Sequence, residues 1–268
     1  MNKIRILFLI IISLFLVPNM AMAEVDNQVD PFEGMQIVAQ EIKYYKVITY
    51  YDNSIYETGS ILNGMNNAYS ESFEITEEEY NNASVDINDN YVVDRSTTIE
   101  TAYKRMISSI GLVGSNYRYV NSLSWKIMPS VRSSDIIAIG FLPNVEPNGT
   151  PNFNISYTYP GGGSGNYSLH LFSTFNKGAS CAFELPTLVN LSSLNMQFWF
   201  DVKKVNPSST ITYQAAYADY SHATSVTSLL NAHTYHTVNQ SVGIVLGNSI
   251  VNNYDTITEA GATWCGTW

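Results

Sequence analysis

Four histidines, two cysteines and a thin scatter of carboxylates are the side chains of this 268-residue chain best suited to chemistry. His233 and His236 are the close histidine pair. A spacing of three places them on nearly one face of a helix but on opposite faces of a strand. Zinc would need a third ligand such as His222 or Asp219, with no Cys or Glu standing near, so structural histidines are the favoured reading and no metal is expected. Glu184, Asp201, Asp219 and Asp255 could serve a polysaccharide hydrolase if separate strands brought two of them together, since glycoside cleavage needs a carboxylate pair. Asp86, Asn88 and Asn90 have the alternate spacing of a calcium loop. Tyr91 stands where that loop needs Gly, however, and Thr97 where it needs its bidentate Glu, which excludes an EF-hand and leaves a looser site of Asp86, Asp89 and Asp94 as a lesser alternative. Ser164 lies in a Gly-rich turn that Asn166 closes instead of the glycine of a nucleophile elbow. No Lys follows to hold phosphate and no dinucleotide fingerprint follows a strand, so no cofactor is expected.

Cys181 and Cys265 belong to a chain with an export signal. Lys3 and Arg5 precede an apolar run from Ile6 to Val17 broken by Ser13, and Ala21, Met22 and Ala23 form a small-x-small cleavage site. Residues 1–23 therefore read as a signal peptide and the mature chain as beginning at Glu24. A dozen apolar residues are too few to span a bilayer, which takes about 20, so no membrane span is expected and the protein reads as secreted. In an oxidising compartment two cysteines more often pair than act separately, which favours a Cys181–Cys265 disulfide worth about 4 to 5 kcal/mol by loop closure. Two free buried thiols are the second reading, and a Cys nucleophile the third.

The elements that would position these groups are strands. Leu194, Met196, Phe198, Phe200 and Val202 alternate without exception, leaving Asn195, Gln197, Trp199, Asp201 and Lys203 on the opposite face. Tyr117, Tyr119, Leu123, Trp125 and Ile127 share a face in the same way, and Ile136 to Leu142 is apolar throughout apart from Gly140, as in a strand buried on both sides. Short strands separated by turn chemistry predict an all-β chain, an antiparallel β-sandwich of jelly-roll type. Thr76 followed by Glu79 is a capping box, which predicts a short helix near 76–82. The stretch 221–238 is ambiguous: Val226, Leu229, Leu230 and His233 fit a helix, while the Thr and Tyr content that follows favours strand.

Parity in the strand around 167–175 puts Tyr167, Leu169 and Leu171 inward and His170 and Phe172 outward. If the outward faces share one sheet, Trp199, Phe172 and His170 make an aromatic platform flanked by Asn195 and Gln197, a surface suited to sugar rings. Burial of Trp199 beneath the N-terminal segment or a loop is the competing arrangement.

Charge divides the chain. Residues 24–95 carry 15 acids against 3 bases, whereas 96–268 carry 8 of each. The expected organisation is an acidic segment, 24–95, ahead of a neutral sandwich, 96–268, with a long loop at 143–152. An acidic segment repels nucleic acid and anionic membranes, which excludes both as partners.

Tyr103, Lys104, Trp125, Lys126, Met128, Pro129, Arg132, Ser133 and Asp135, together with the run from Asp219 to Thr224, resemble a pattern in uncharacterised exported β-rich proteins of low-GC Gram-positive bacteria. The resemblance spans roughly residues 95 to 225. It implies export from a Gram-positive cell, and no activity or ligand comes with it. The expected function is a non-enzymatic β-sandwich binding a glycan or a surface protein. The alternatives are the hydrolase above and a self-associating structural or toxin-like β protein.

Overall fold

Alternation of large apolar with small polar side chains builds long strands here, and the two longest, β1 (Gln36–Asp52) and β4 (Thr97–Val113), pair antiparallel along nearly their whole length. The structure is a computed structural model describing residues 29–52, 68–84, 92–94, 97–129, 131–166, 169–187, 191–240, 243–255 and 258–268. Residues 1–23, expected to be a signal peptide, and the calcium-like spacing at 86–90 lie outside the described residues.

The other strands of the large sheet are β2 (Ala68–Ile75), β3 (Val92–Asp94), β5 (Asn116–Ile127), β7 (Val145–Pro147), β8 (Asn152–Thr158), β9 (Ser164–Asn166) and β12 (Ser193–Lys204). Their order is β2-β1-β4-β5-β12-β8-β9, with β3 beside β4 and β7 beside β12. Gly114, at φ 62, makes the two-residue turn between Val113 and Asn116 that joins β4 to β5. A five-stranded sheet of order β10-β11-β6-β13-β16 packs against it. Its members are β6 (Ser134–Phe141), β10 (His170–Phe175), β11 (Gly178–Glu184), β13 (Tyr213–Ser221) and β16 (Thr258–Cys265). All paired strands are antiparallel, so the expected antiparallel sandwich is present; these orders do not establish the finer jelly-roll connectivity.

The core lies between the sheets and is built from the predicted alternations: Leu194, Met196, Phe198, Phe200 and Val202 of β12, and Tyr117, Tyr119, Leu123 and Trp125 of β5. The described strands of residues 24–95, β1, β2 and β3, are members of the large sheet.

Residues between β13 and β16 form a third layer over the outer face of the small sheet. It contains α2 (Leu229–Thr234) and the hairpin of β14 (His236–Asn239) with β15 (Gly243–Leu246). Ala232, Val238, Ile244, Ile250 and Tyr254 from this layer bury Ile136, Ala138 and Ala182. All eight residues of β6 are thereby buried, as its unbroken apolar run predicts. The ambiguous stretch 221–238 is thus helix first and strand second. Val226 and Leu230, which fit the helical spacing, are exposed, whereas Ala232 is buried in the core and Leu229 packs half-buried against it.

The short N-terminal helix is α1 (Glu77–Asn82), capped by Thr76, whose side chain accepts from Glu79 N while Glu79 bonds back to Thr76 N. It packs on the outer face of the large sheet through Tyr80 against Tyr44, ring centroids 5.0 Å apart. Lys126 Nζ donates to the Tyr80 and Asn81 carbonyls, both at 2.6 Å, supplying the cation that a helix C-terminus favours. Among the described residues no helix is long and apolar enough to cross a membrane.

Candidate functional site

The expected aromatic platform divides between layers. Asn195, Gln197 and Trp199 do share the outer face of β12, but Trp199 is only 4% exposed. In the ladder it sits between Val120 of β5 and Asn152 of β8. Arg118 Nη1 donates to the Pro31 carbonyl at 3.1 Å and Asn154 Nδ2 to that of Val29 at 3.4 Å. Arg118 and Asn154 stand on opposite sides of β12, one row to either side of Trp199. The chain from Val29 to Pro31 therefore crosses the Trp199 row, and Pro31 is itself buried.

Phe172 and His170 face the other way from the expected direction. Phe172 packs against the inter-sheet core and stacks on Phe198 at 6.3 Å, and His170 lies 5.4 Å from Phe153 and 4.7 Å from Phe172. Leu169 and Leu171, expected inward, are 52% and 37% exposed. The correction has a plain cause. This strand is apolar on both faces and runs along a sheet edge, so alternation does not say which face is buried, and its aromatic rings fill the gap beside Phe198 and Phe183 better than its leucines.

The disulfide is absent too: Cys181 and Cys265 are free thiols, one buried and one exposed. Cys181 of β11 aligns with Ile137, Tyr220 and Thr258 across β6, β13 and β16. Cys265 is thus three strands away, about 14 Å, and a further seven residues along β16, which is far beyond disulfide reach. Burial pushes the Cys181 thiol well up, against any nucleophilic role.

The carboxylates do not assemble either. Asp201 lies on the outer face of the large sheet in a two-point pair with Arg118, at 2.7 and 3.5 Å. Asp219 lies on the outer face of the small sheet beneath the third layer, and Asp255 lies between the sheets. Among the described residues neither Asp219 oxygen has a hydrogen-bond partner. Burial, helped by Glu259, holds its carboxyl well above the usual range. Gly243, at φ 70, leaves room for it, and a Cβ there would collide with the carboxyl group. His233 and His236 bind different partners. His236 Nδ1 donates to Ala232 O at 2.6 Å and its Nε2 meets Ser180 Oγ at 2.6 Å, while His233 Nδ1 meets Ser173 Oγ at 3.2 Å.

The densest chemistry in the fold is a sealed polar cluster that inspection of motifs missed. Lys104 of β4, Trp125 of β5, Asp135 of β6 and Tyr220 of β13 all point between the sheets, joined by His222 and Asp255 from either end of the third layer. Lys104 Nζ lies 3.0 Å from Asp255 Oδ2, both side chains having no solvent exposure. Asp255 Oδ1 accepts from His222 N at 2.8 Å. Asp135 accepts from Tyr220 Oη in a very short bond, from Ala223 N at 2.9 Å, and meets His222 Nδ1 at 3.0 Å. Trp125 Nε1 donates to Tyr220 Oη at 3.2 Å. Burial is the largest influence on His222 and works against its protonation. Asp135 beside it, and Asp255 further off, outweigh that and hold the imidazole above its usual 6.5. Burial and Asp135 push the Tyr220 phenol well up. Five of these six residues fall within the runs quoted above for the resemblance, which carried no site with it; Asp255 lies outside them.

The fold defines a class, the all-β antiparallel sandwich, and comparison with known proteins refines that only a little. No protein-family model matches the chain, and no curated protein does. Among solved structures the chain is similar to BcpA, the major pilin subunit of Bacillus cereus, at 9% identity and TM-score 0.33, over 85% of this chain and 63% of that one. It is similar to the N-terminal domain of the Streptococcus gordonii adhesin Sgo0707 at 9% identity and TM-score 0.31, over 90% and 57%. The collagen binding domain of the Erysipelothrix rhusiopathiae surface protein RspB matches at 6% identity and TM-score 0.28, over 64% and 71%. The chain spans less than two thirds of the first two of these structures.

Proposed function

We propose that this chain is an exported, non-enzymatic β protein that works at the cell surface or in the medium and binds a saccharide on the outer face of its large sheet. The observation that carries this reading is a grid of uncharged polar side chains across three strands. Asn195 of β12 aligns with Ser124 of β5 and Ser156 of β8, and in the next row Gln197 aligns with Ser122 and Asn154. All six are half-buried. Amides and hydroxyls both donate and accept, which matches sugar hydroxyls at close spacing without a charge to desolvate. Trp199, under the Val29 to Pro31 crossing, occupies the next row of the same face and bounds the grid at that end.

The non-enzymatic part of the reading follows from the sealing of the reactive cluster. Groups with no solvent exposure have no access to an external substrate, and Asp201, Asp219 and Asp255 stand in three different layers. A glycan array against the purified chain, compared with the Asn195→Ala/Gln197→Ala double variant, tests the proposal. The double variant is expected to fold normally and to lose about 10-fold or more in affinity, as two hydrogen bonds of roughly 1 kcal/mol each imply. Absence of glycan binding, or binding indifferent to the double variant, overturns it.

A further inference from the structure

Lys104 and Asp255 form an ion pair that its surroundings leave poorly satisfied. An ammonium carries three donors. Among the described residues its hydrogen-bond acceptor is Asp255 Oδ2, and it otherwise lies over the rings of Trp125 and Tyr220, at 5.3 and 5.0 Å from their centroids. A buried pair offsets its desolvation only when its remaining protons and lone pairs are also bonded. The chain's lysine and arginine pairs nearer the surface, Lys43 with Glu74, Arg118 with Asp201 and Lys203 with Glu146, all keep contact with water.

We propose that Lys104 and Asp255 condense into an intramolecular isopeptide bond. Proton transfer within the pair gives the amine and the carboxylic acid that the condensation uses. The amine nitrogen attacks Asp255 Cγ, so that an Nζ–Cγ bond forms and the Cγ–Oδ2 bond breaks. Two of the three ammonium protons leave with Oδ2 as water, and one positive and one negative charge disappear together. No oxidant, reductant or activating group enters the balance. The His222 N–H, 2.8 Å from Oδ1, donates to the oxygen on which negative charge develops in the tetrahedral intermediate and which becomes the amide carbonyl. The fold holds amine and carboxyl in contact, replacing a bimolecular encounter. Exclusion of bulk water favours the amide, because the reaction expels the one water that could reverse it. The bond would tie β4 of the large sheet to the third layer across 151 residues of sequence, independently of any glycan bound outside.

Intact mass spectrometry and a tryptic peptide map of the purified chain test this. The expected wild-type mass is one water below the sequence value, with a branched peptide joining the Lys104 and Asp255 segments. The Lys104→Met variant is expected at its full sequence mass. A folded wild-type chain at full mass, or a missing water that fragmentation locates elsewhere, overturns the proposal. The wild-type map decides the matter even if Lys104→Met does not fold.

Discussion

Asn121 is the side chain whose replacement most directly tests how the two sheets are joined. It is fully buried on the inner face of β5, and its Nδ2 reaches across the core to donate to two carbonyls of the small sheet, Ala138 O at 2.9 Å and Asp219 O at 3.0 Å. Those residues are direct partners in the β6–β13 ladder, so one amide bridges two strands of the opposite sheet. Asn121→Ala removes both bonds, about 1 kcal/mol each, and leaves a hole that adds roughly 1 to 2 kcal/mol, for a loss of about 3 to 4 kcal/mol in all. In a chain of this size that corresponds to a fall in Tm of roughly 6 to 16 °C, measurable by calorimetry with urea unfolding as a check. Asn121→Asp separates the bridge from simple cavity formation. An ionised carboxylate cannot donate and would face two carbonyls, so the Asp variant should be less stable than the Ala variant at neutral pH and should recover as acid restores a donor. A cost for Asn121→Ala below about 1 kcal/mol, or an Asp variant as stable as the Ala variant at neutral pH, would refute the reasoning.

Two further predictions concern titration of the buried groups. His222 is held above 6.5, so its pairing with Asp135 contributes stability that is fully present below that value and is lost as pH rises through the raised folded value. Thermal unfolding across that window should show wild type losing its advantage over His222→Gln as pH increases; parallel curves would contradict the assignment. Asp219 has the opposite chemistry, an acid whose folded value burial raises above its unfolded one, so the fold loses stability as pH rises above the ordinary carboxylate range. Asp219→Asn is neutral and of the same shape, and should unfold at higher temperature than wild type at neutral pH, the difference shrinking in acid. A lower Tm at neutral pH would show that the carboxyl has a partner it needs.

The strands that packing makes one-sided were legible in the sequence. β12 alternates cleanly, β6 is apolar on both sides because a third layer covers it, and Thr76 with Glu79 caps α1 as the pattern requires. Legibility failed where a strand is apolar on both faces. In β10, leucines and aromatics compete for the interior, and the gap beside Phe198 and Phe183 decides, which no local pattern encodes. Trp199 was ambiguous for a related reason, since its cover comes from Val29 to Pro31, far away in sequence. The sealed cluster was least visible of all. Its charges stand singly in unrelated strands, and Asp255 meets Lys104 only because β16 returns to the edge of β13. The disulfide expectation rested on compartment alone, and strand order separated the two thiols.

The third layer also bears on the order in which the sandwich can close. Tyr45 Oη bonds to Glu259 O across 214 residues, and β6 and β13 gain their outer cover only when residues 222–255 have crossed them. Pairings of such separation carry a heavy loop-closure entropy and form slowly. β4 and β5 join through a two-residue turn and can pair early, but the small sheet stays open on one face until the third layer arrives. Closure of the small sheet's outer face therefore waits on the segment between β13 and β16.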